Sequence, residues 1–185
     1  MNQVGFYYNM SLCIGCKACQ VACKDKNNLE GIYFRRVLEY MPENGAPQIS
    51  SYYSASCNHC QTPSCVAVCP TGAMQKQGDG AVIANGAMCI GCGSCVNSCP
   101  YRIPVFNRKS GVSCKCNSCI DLRASGQNPA CVDACPVHCM EFGELTELRQ
   151  KHGDEMLCSE ISGMPSGEST QPSLLIHPRG REGIQ

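Results

Sequence analysis

From Cys57 to Pro100 the chain reads CNHCQTPSCVAVCP and, further on, CIGCGSCVNSCP, one unit written twice. Each copy opens with Cys-x-x-Cys and closes on Cys-Pro. Three thiolates on a tight loop, with a fourth about one helical turn further, suit the corners of an iron-sulfur cubane. In the run C-x₂-C-x₂-C-x₃-C-P the fourth cysteine serves the other cluster of a pair. Cys89, Cys92, Cys95 and Cys99 have this spacing residue for residue, whereas Cys57, Cys60, Cys65 and Cys69 carry two extra residues between the second and third cysteines. Pro70 and Pro100 bias the cysteine before them away from the helical region and stop a short helix there.

The same spacing occurs earlier, at Cys13, Cys16, Cys19 and Cys23, with Lys24 in place of proline. The helix that starts near Cys19 is therefore expected to continue a turn further. A fourth run, Cys116, Cys119, Cys131 and Cys135, holds an inserted loop with Gly126 and Pro129, as a surface excursion should. The repeat reaches past these positions: CPTGAM after Cys69 matches CPVHCM after Cys135, which puts Cys139 where Ala73 stands.

The runs take 16 of the 19 cysteines and leave Cys114, Cys139 and Cys158. Cys114 competes with Cys116, but only Cys116 keeps the x₂ spacing. Cys139 and Cys158 read as small buried apolar residues, with a spare redox thiol as the alternative. His59 and His138 lie among the cysteines, so Cys₃His zinc sites can be drawn. A dense triplet with a trailing Cys-Pro favours the cubane, and His59 then reads as a donor to cluster sulfur or a turn residue.

The elements that must hold these loops are short. At 185 residues there is room for one or two small domains. With Trp absent and aromatics at 6%, an ordinary apolar core is not expected to be the main organiser. Disulfides are the plain alternative, yet MNQVGFYYNMSLC offers neither the basic nor the apolar part of a secretory signal. Arg35-Arg36 imitates a twin-arginine signal, but too deep in the chain and followed by Glu39 and Pro42.

No apolar run approaches the roughly 18 residues of a membrane span, so the chain is not expected to cross a bilayer by itself. Fifteen basic residues balance fifteen acidic ones, and no basic patch points to nucleic acid. Residues 57–100 contain only Lys76 and Asp79 as charged side chains, while Arg102, Arg108, Lys109, Lys115 and Arg123 follow. A dry shell with cations nearby would tune a reduction potential; a solvated basic face is the other possibility. There is no Ser/His/Asp order, phosphate loop or nucleotide fingerprint, and the chain reads as an electron carrier without a catalytic site.

VGFYYN is expected to be an opening strand. IYFRRVLEY alternates apolar and polar residues, PENGAP supplies a turn at Asn44-Gly45, and ISSYYSAS returns as a second strand. This hairpin would shield the clusters or contact a partner. A turn at Gly78-Asp79-Gly80 followed by the strand AVIA links the two central runs. GELTELRQKHG reads as a helix with Leu145 and Leu148 on one face and Gly153 past its end. From Cys158 to Pro172 the composition predicts a flexible surface strap, after which LLI packs on the body.

Over residues 3 to about 178 the sequence resembles the four-cluster iron-sulfur subunit of the dimethyl sulfoxide reductase family of molybdopterin oxidoreductases. The likeness rests on GFYYN, CKACQVACKD, FRRVLEY, SCNHCQTPSCVAVCPTGAM, CIGCGSCVNSCPYRIP, the run from Cys116 to Cys135, and FGELTELRQKHGD. It implies an α+β fold of two bacterial-ferredoxin-like 2×[4Fe-4S] halves related by pseudo-twofold symmetry. The outer half would comprise 1–56 and 101–143, with a hairpin insertion at 25–56. The inner half would be 57–100, and a C-terminal helix and extended tail would fill 144–185.

The resemblance also implies four [4Fe-4S] clusters with crossed pairing. Cys13, Cys16 and Cys19 would share one with Cys135, and Cys116, Cys119 and Cys131 one with Cys23. Cys57, Cys60 and Cys65 would pair with Cys99, and Cys89, Cys92 and Cys95 with Cys69. Some relatives have tryptophan at one ligand position of the third run and hold a three-iron cluster there; Cys92 implies four irons here. Cys114 and Cys139 depart from the family pattern.

The implied partners are a molybdopterin-containing catalytic subunit, nearest the Cys13 cluster, and an integral, quinol-linked membrane anchor, nearest the Cys89 cluster. The chain would then be peripheral to the cytoplasmic membrane through its partners, on the periplasmic face if one of them carries a twin-arginine signal. An iron-sulfur subunit of a hydrogenase or formate-oxidising complex shares the ligand pattern, and a cysteine-rich zinc module is the alternative from another class.

Overall fold

The computed structural model describes residues 3–40 and 51–179. Strand β1 (Val4–Asn9) is buried along nearly its whole length instead of alternating, because it is covered on both faces. Phe6 and Tyr8 point into a core shared with cysteines, and Tyr7 packs on the opposite side with Leu145, Leu148 and Leu175. Helix α1 (Ala18–Lys26) runs past Cys23, as the missing proline predicts.

Strands β2 (Arg36–Tyr40) and β3 (Ser51–Ala55) form the expected antiparallel hairpin, with Leu38 opposite Tyr53. The Asn44-Gly45 turn lies outside the described residues. Two short helices, α2 (Ser64–Ala67) and α3 (Ser94–Ser98), each follow a cysteine loop and end just before Cys-Pro. Between them the hairpin β4 (Met74–Lys76) and β5 (Val82–Ala84) closes around Gly80, at φ 85°.

A further hairpin, β6 (Val105–Asn107) with β7 (Val112–Cys114), was not signalled by alternation; its strands are three residues long, and Ser110-Gly111 was the available cue. Helices α4 (Ile120–Ala124) and α5 (Ala130–Asp133) flank the inserted loop of the last run. Strand β8 (Met140–Glu144) pairs antiparallel with β1. Helix α6 (Leu145–His152) buries Leu145 and Leu148 and ends at Gly153, φ 79°, as expected. Strand β9 (Leu174–His177) pairs parallel with β1, so the sheet order is β8-β1-β9.

The strap before β9 is not loose. Ser173 N–H donates to Asn58 O (2.9 Å), Gln61 N–H to Gln171 O (2.8 Å) and Thr62 N–H to Thr170 O (3.0 Å), which pins it to the Cys57 loop. Polar composition predicts mobility only when the backbone lacks partners, and here the backbone has them.

Gly5 allows the approach of β9. A Cβ there would run into the carbonyl oxygen of Ser173 and stand 2.6 Å from Leu145 Cδ2. Gly5→Ala should destabilise the fold by about 1–3 kcal/mol, read as a fall of about 2–10 °C in the temperature at which cluster absorbance bleaches. An unchanged bleaching temperature would show that the strands can part without cost.

Candidate metal centre

The first cysteine of each run is held by the same local device. Gly15 N–H lies 3.5 Å from Cys13 Sγ, His59 N–H 3.5 Å from Cys57 Sγ, Gly91 N–H 3.4 Å from Cys89 Sγ and Ser118 N–H 3.4 Å from Cys116 Sγ. All four donors sit at positive φ, 70°, 43°, 72° and 54°. The left-handed residue turns its N–H back towards the thiol two residues earlier, a donor that favours bound thiolate. Past the closing cysteines a second shared turn appears. Gly72, Arg102 and His138 have positive φ, and each N–H donates to the carbonyl of Cys69, Cys99 or Cys135.

The thiols gather in sets of four drawn from different runs. One cavity is lined by Cys69, Cys89, Cys92 and Cys95, a second by Cys13, Cys16, Cys19 and Cys135, a third by Cys57, Cys60, Cys65 and Cys99. The remaining four, Cys23, Cys116, Cys119 and Cys131, act on one another electrostatically and are buried together. Among the described residues no three His, Cys, Asp or Glu side chains converge on a point suited to one ion. Thiols ringing a small cavity instead fit a cluster of several atoms. A hollow of about 380 Å³ beside Tyr53, Tyr101 and Ile161 has no cysteine in its lining.

Burial pushes the Cys23 and Cys65 thiols up to about 12 and the Cys60 thiol up to about 11. Iron, which needs thiolate, must therefore displace their protons on binding. Of the remaining cysteines, Cys114 lies on β7 with its Sγ 3.7 Å from Val105 O, and Cys158 has its Sγ 3.6 Å from Ile176 O. Cys139 lines the cavity of Cys13, its Sγ 3.5 Å from Cys135 Sγ, in the position that Ala73 occupies beside Cys69. Buried in the main core as the sequence reading expects, it is also a fifth thiol at that site.

Two side chains join the central sets. Lys115 Nζ, buried, donates to Cys57 Sγ (3.4 Å), to Cys116 O (2.8 Å) and to Val82 O. His59 is fully buried; its Nδ1 accepts from Val82 N–H (3.0 Å), which leaves Nε2–H to face Cys116 Sγ at 3.9 Å. Burial, reinforced by Lys115, Arg123 and Arg35, pushes its pKa well down, so the imidazole is neutral and acts as a donor. Val82 also packs with Cys65 of the Cys57 set and Cys95 of the Cys89 set.

A family model described as a 4Fe-4S dicluster domain matches residues 49–145, and a second of the same description matches residues 12–73. The protein is 43% identical to the B subunit of anaerobic dimethyl sulfoxide reductase from Haemophilus influenzae, covering 96% of its own length and 90% of that relative. It is 41% identical to thiosulfate reductase electron transfer subunit PhsB of Salmonella typhi, over 97% of each. The chain belongs to this family of reductase iron-sulfur subunits. The B subunit of polysulfide reductase from Wolinella succinogenes is a further relative, 34% identical over 98% of this protein and 97% of that one.

Two dicluster domains give this subunit four [4Fe-4S] clusters, and its work is electron transfer rather than catalysis. Each cluster supplies a one-electron couple. The chain's own residues set its surroundings through thiolate, N–H donors and buried cations. Among the described residues no helix is long and apolar enough to cross a membrane.

Proposed function

We propose that this subunit relays electrons between a quinol-linked membrane anchor and a molybdopterin-containing catalytic subunit, through clusters held by Cys13, Cys16, Cys19 and Cys135; Cys23, Cys116, Cys119 and Cys131; Cys57, Cys60, Cys65 and Cys99; and Cys69, Cys89, Cys92 and Cys95. Of these thiols only Cys16 and Cys92 are exposed, one in each terminal set, and that observation carries the assignment. Electrons then enter and leave at the two ends, while the middle sets stay dry.

Each exposed thiol sits beside apolar side chains that water does not favour. Leu12 and Ile14, exposed, flank Cys13 in the loop that ends at Cys16; Met88 and Ile90, exposed, flank Cys89 in the loop that ends at Cys92. Such patches mark protein contacts. The first faces the catalytic subunit and the second the anchor, so the subunit is peripheral to the membrane through its partners. It lies on the periplasmic face if a partner carries a twin-arginine signal. The equivalent turns after Cys69, Cys99 and Cys135 support two ferredoxin-like halves related by pseudo-twofold symmetry. The inner half is 57–100, the outer half 1–56 with 101–143, and the tail 144–185.

Ile90→Glu, at a side chain 69% exposed, should release the membrane anchor during purification yet leave the iron content at about sixteen per chain, four for each cubane. Ile14→Glu should release the catalytic subunit. The reverse pattern would turn the relay end for end, and retention of both partners by both variants would reject these surfaces as docking sites.

A further inference from the structure

Arg35 precedes β2 and is 3% exposed, yet the ion pairs among the described residues do not include it. Its Nη1 donates to Ser54 O (2.9 Å) and Ser54 Oγ (3.0 Å). Its guanidinium carbon lies 4.7 Å from the centroid of the Phe6 ring. Nε and Nη2 have no hydrogen-bond partner among the described residues. Arginine cannot shed its charge by losing a proton, so a buried guanidinium needs an anion. The groups that act on it electrostatically are the sulfurs of Cys131, Cys116, Cys19 and Cys23, three of them from one set of four, which would be anionic as cluster ligands. Lys115, the other cation buried among the thiols, directs its ammonium to Cys57 Sγ, Val82 O and Cys116 O, whereas the Nε and Nη2 edge of Arg35 has no acceptor among the described residues.

We propose that Arg35 positions and tunes the relay: its unpartnered N–H edge donates to sulfur of the cluster held by Cys23, Cys116, Cys119 and Cys131, and raises that cluster's reduction potential. The inference rests on the ligand sets proposed above. A cluster bound by four thiolates is anionic and gains one further negative charge on reduction, so a fixed cation favours the reduced form. The opposite edge reaches the neighbouring cluster through Ser54, whose Oγ is 3.4 Å from Cys19 Sγ. In the step itself one cluster is oxidised as the next is reduced by the same electron. No bond forms and no proton moves, because the guanidinium stays protonated throughout. Arg35 thus sits between the first set and the second and favours the electron on the second.

Redox potentiometry followed by electron paramagnetic resonance on the anaerobically purified complex tests this. Arg35→Gln should titrate with one cluster displaced to lower potential. Its reduced-to-oxidised ratio at the wild-type midpoint should fall at least tenfold, about 59 mV for one electron. Arg35→Lys, which keeps the charge but not the fork, should move the same signal in the same direction and less. Arg36→Gln, at the adjacent exposed residue, should titrate as wild type.

The displaced signal should be the one that Cys131→Ser removes or alters. Four clusters with unshifted potentials in Arg35→Gln would overturn the role of Arg35 alone. If that variant does not load iron, an unshifted Arg35→Lys does the same. A displaced signal that Cys131→Ser leaves intact would instead reject the ligand set.

Discussion

Chelating iron from the reduced subunit will unfold it. The main buried cluster comprises nineteen residues, seven of them cysteines: Cys19, Cys23, Cys57, Cys116, Cys131, Cys135 and Cys139. Helices α2 to α5 have four or five residues each, far below the roughly 12–15 at which an isolated helix becomes even marginal. The hairpins β4–β5 and β6–β7 have three residues per strand, and an isolated hairpin is marginal at best. Iron-sulfur bonds therefore join parts that do not hold by themselves, and metal-binding free energy is folding free energy. Loss of the clusters should exceed the about 5–15 kcal/mol that keeps a domain folded. Limited proteolysis and far-ultraviolet circular dichroism before and after chelation will read it. A chelated chain that keeps its native spectrum and protease resistance would refute the claim, and a native chain with far fewer than about sixteen irons would refute its premise.

The second large effect concerns which cluster a closing cysteine serves. Cys99 follows Cys89, Cys92 and Cys95 in sequence but lines the cavity of Cys57, Cys60 and Cys65. Cys99→Ser should therefore damage the Cys57 cluster and spare the one at Cys89, Cys92 and Cys95. Iron should fall by up to about a quarter, one cubane in four, and in the proposed relay transfer between quinol and the catalytic subunit should be abolished, because the lost cluster would be interior to it. The decisive comparison is with Cys92→Ser. The two variants should lose different paramagnetic signals, and loss of the same signal would mean that the runs are not crossed.

Much of this was open to inspection in the chain alone. Ligand loops are local, so x₂ and x₃ spacings carry their geometry directly. The equal turns at Gly15, His59, Gly91 and Ser118 occur at the third residue of each Cys-x-x-Cys opening. Helix α6 was equally readable, because Leu145, Leu148 and Gly153 are near neighbours. The hairpin β6–β7 was not, since three residues are too few to establish a period. The strap from Cys158 to Pro172 was misjudged as flexible for another reason: its partners, Asn58 to Thr62, lie about a hundred residues away.

Charge divides in the same manner. The cations after residue 100 could equally have tuned clusters or faced water. Lys115 is buried beside Cys57 Sγ, whereas Arg102, Arg108 and Lys109 are exposed. Arg35 looked in the sequence like half of a misplaced export signal, and only folding carries it in among the thiols. The sequence by itself determined which cofactor this protein carries and how many, because those ligands are chosen within a few residues of one another. The tertiary structure decided which cations and donors each cluster feels, because electrostatic influence falls with distance through space, and Arg35, Ser54, His59 and Lys115 reach their thiols from separate parts of the chain.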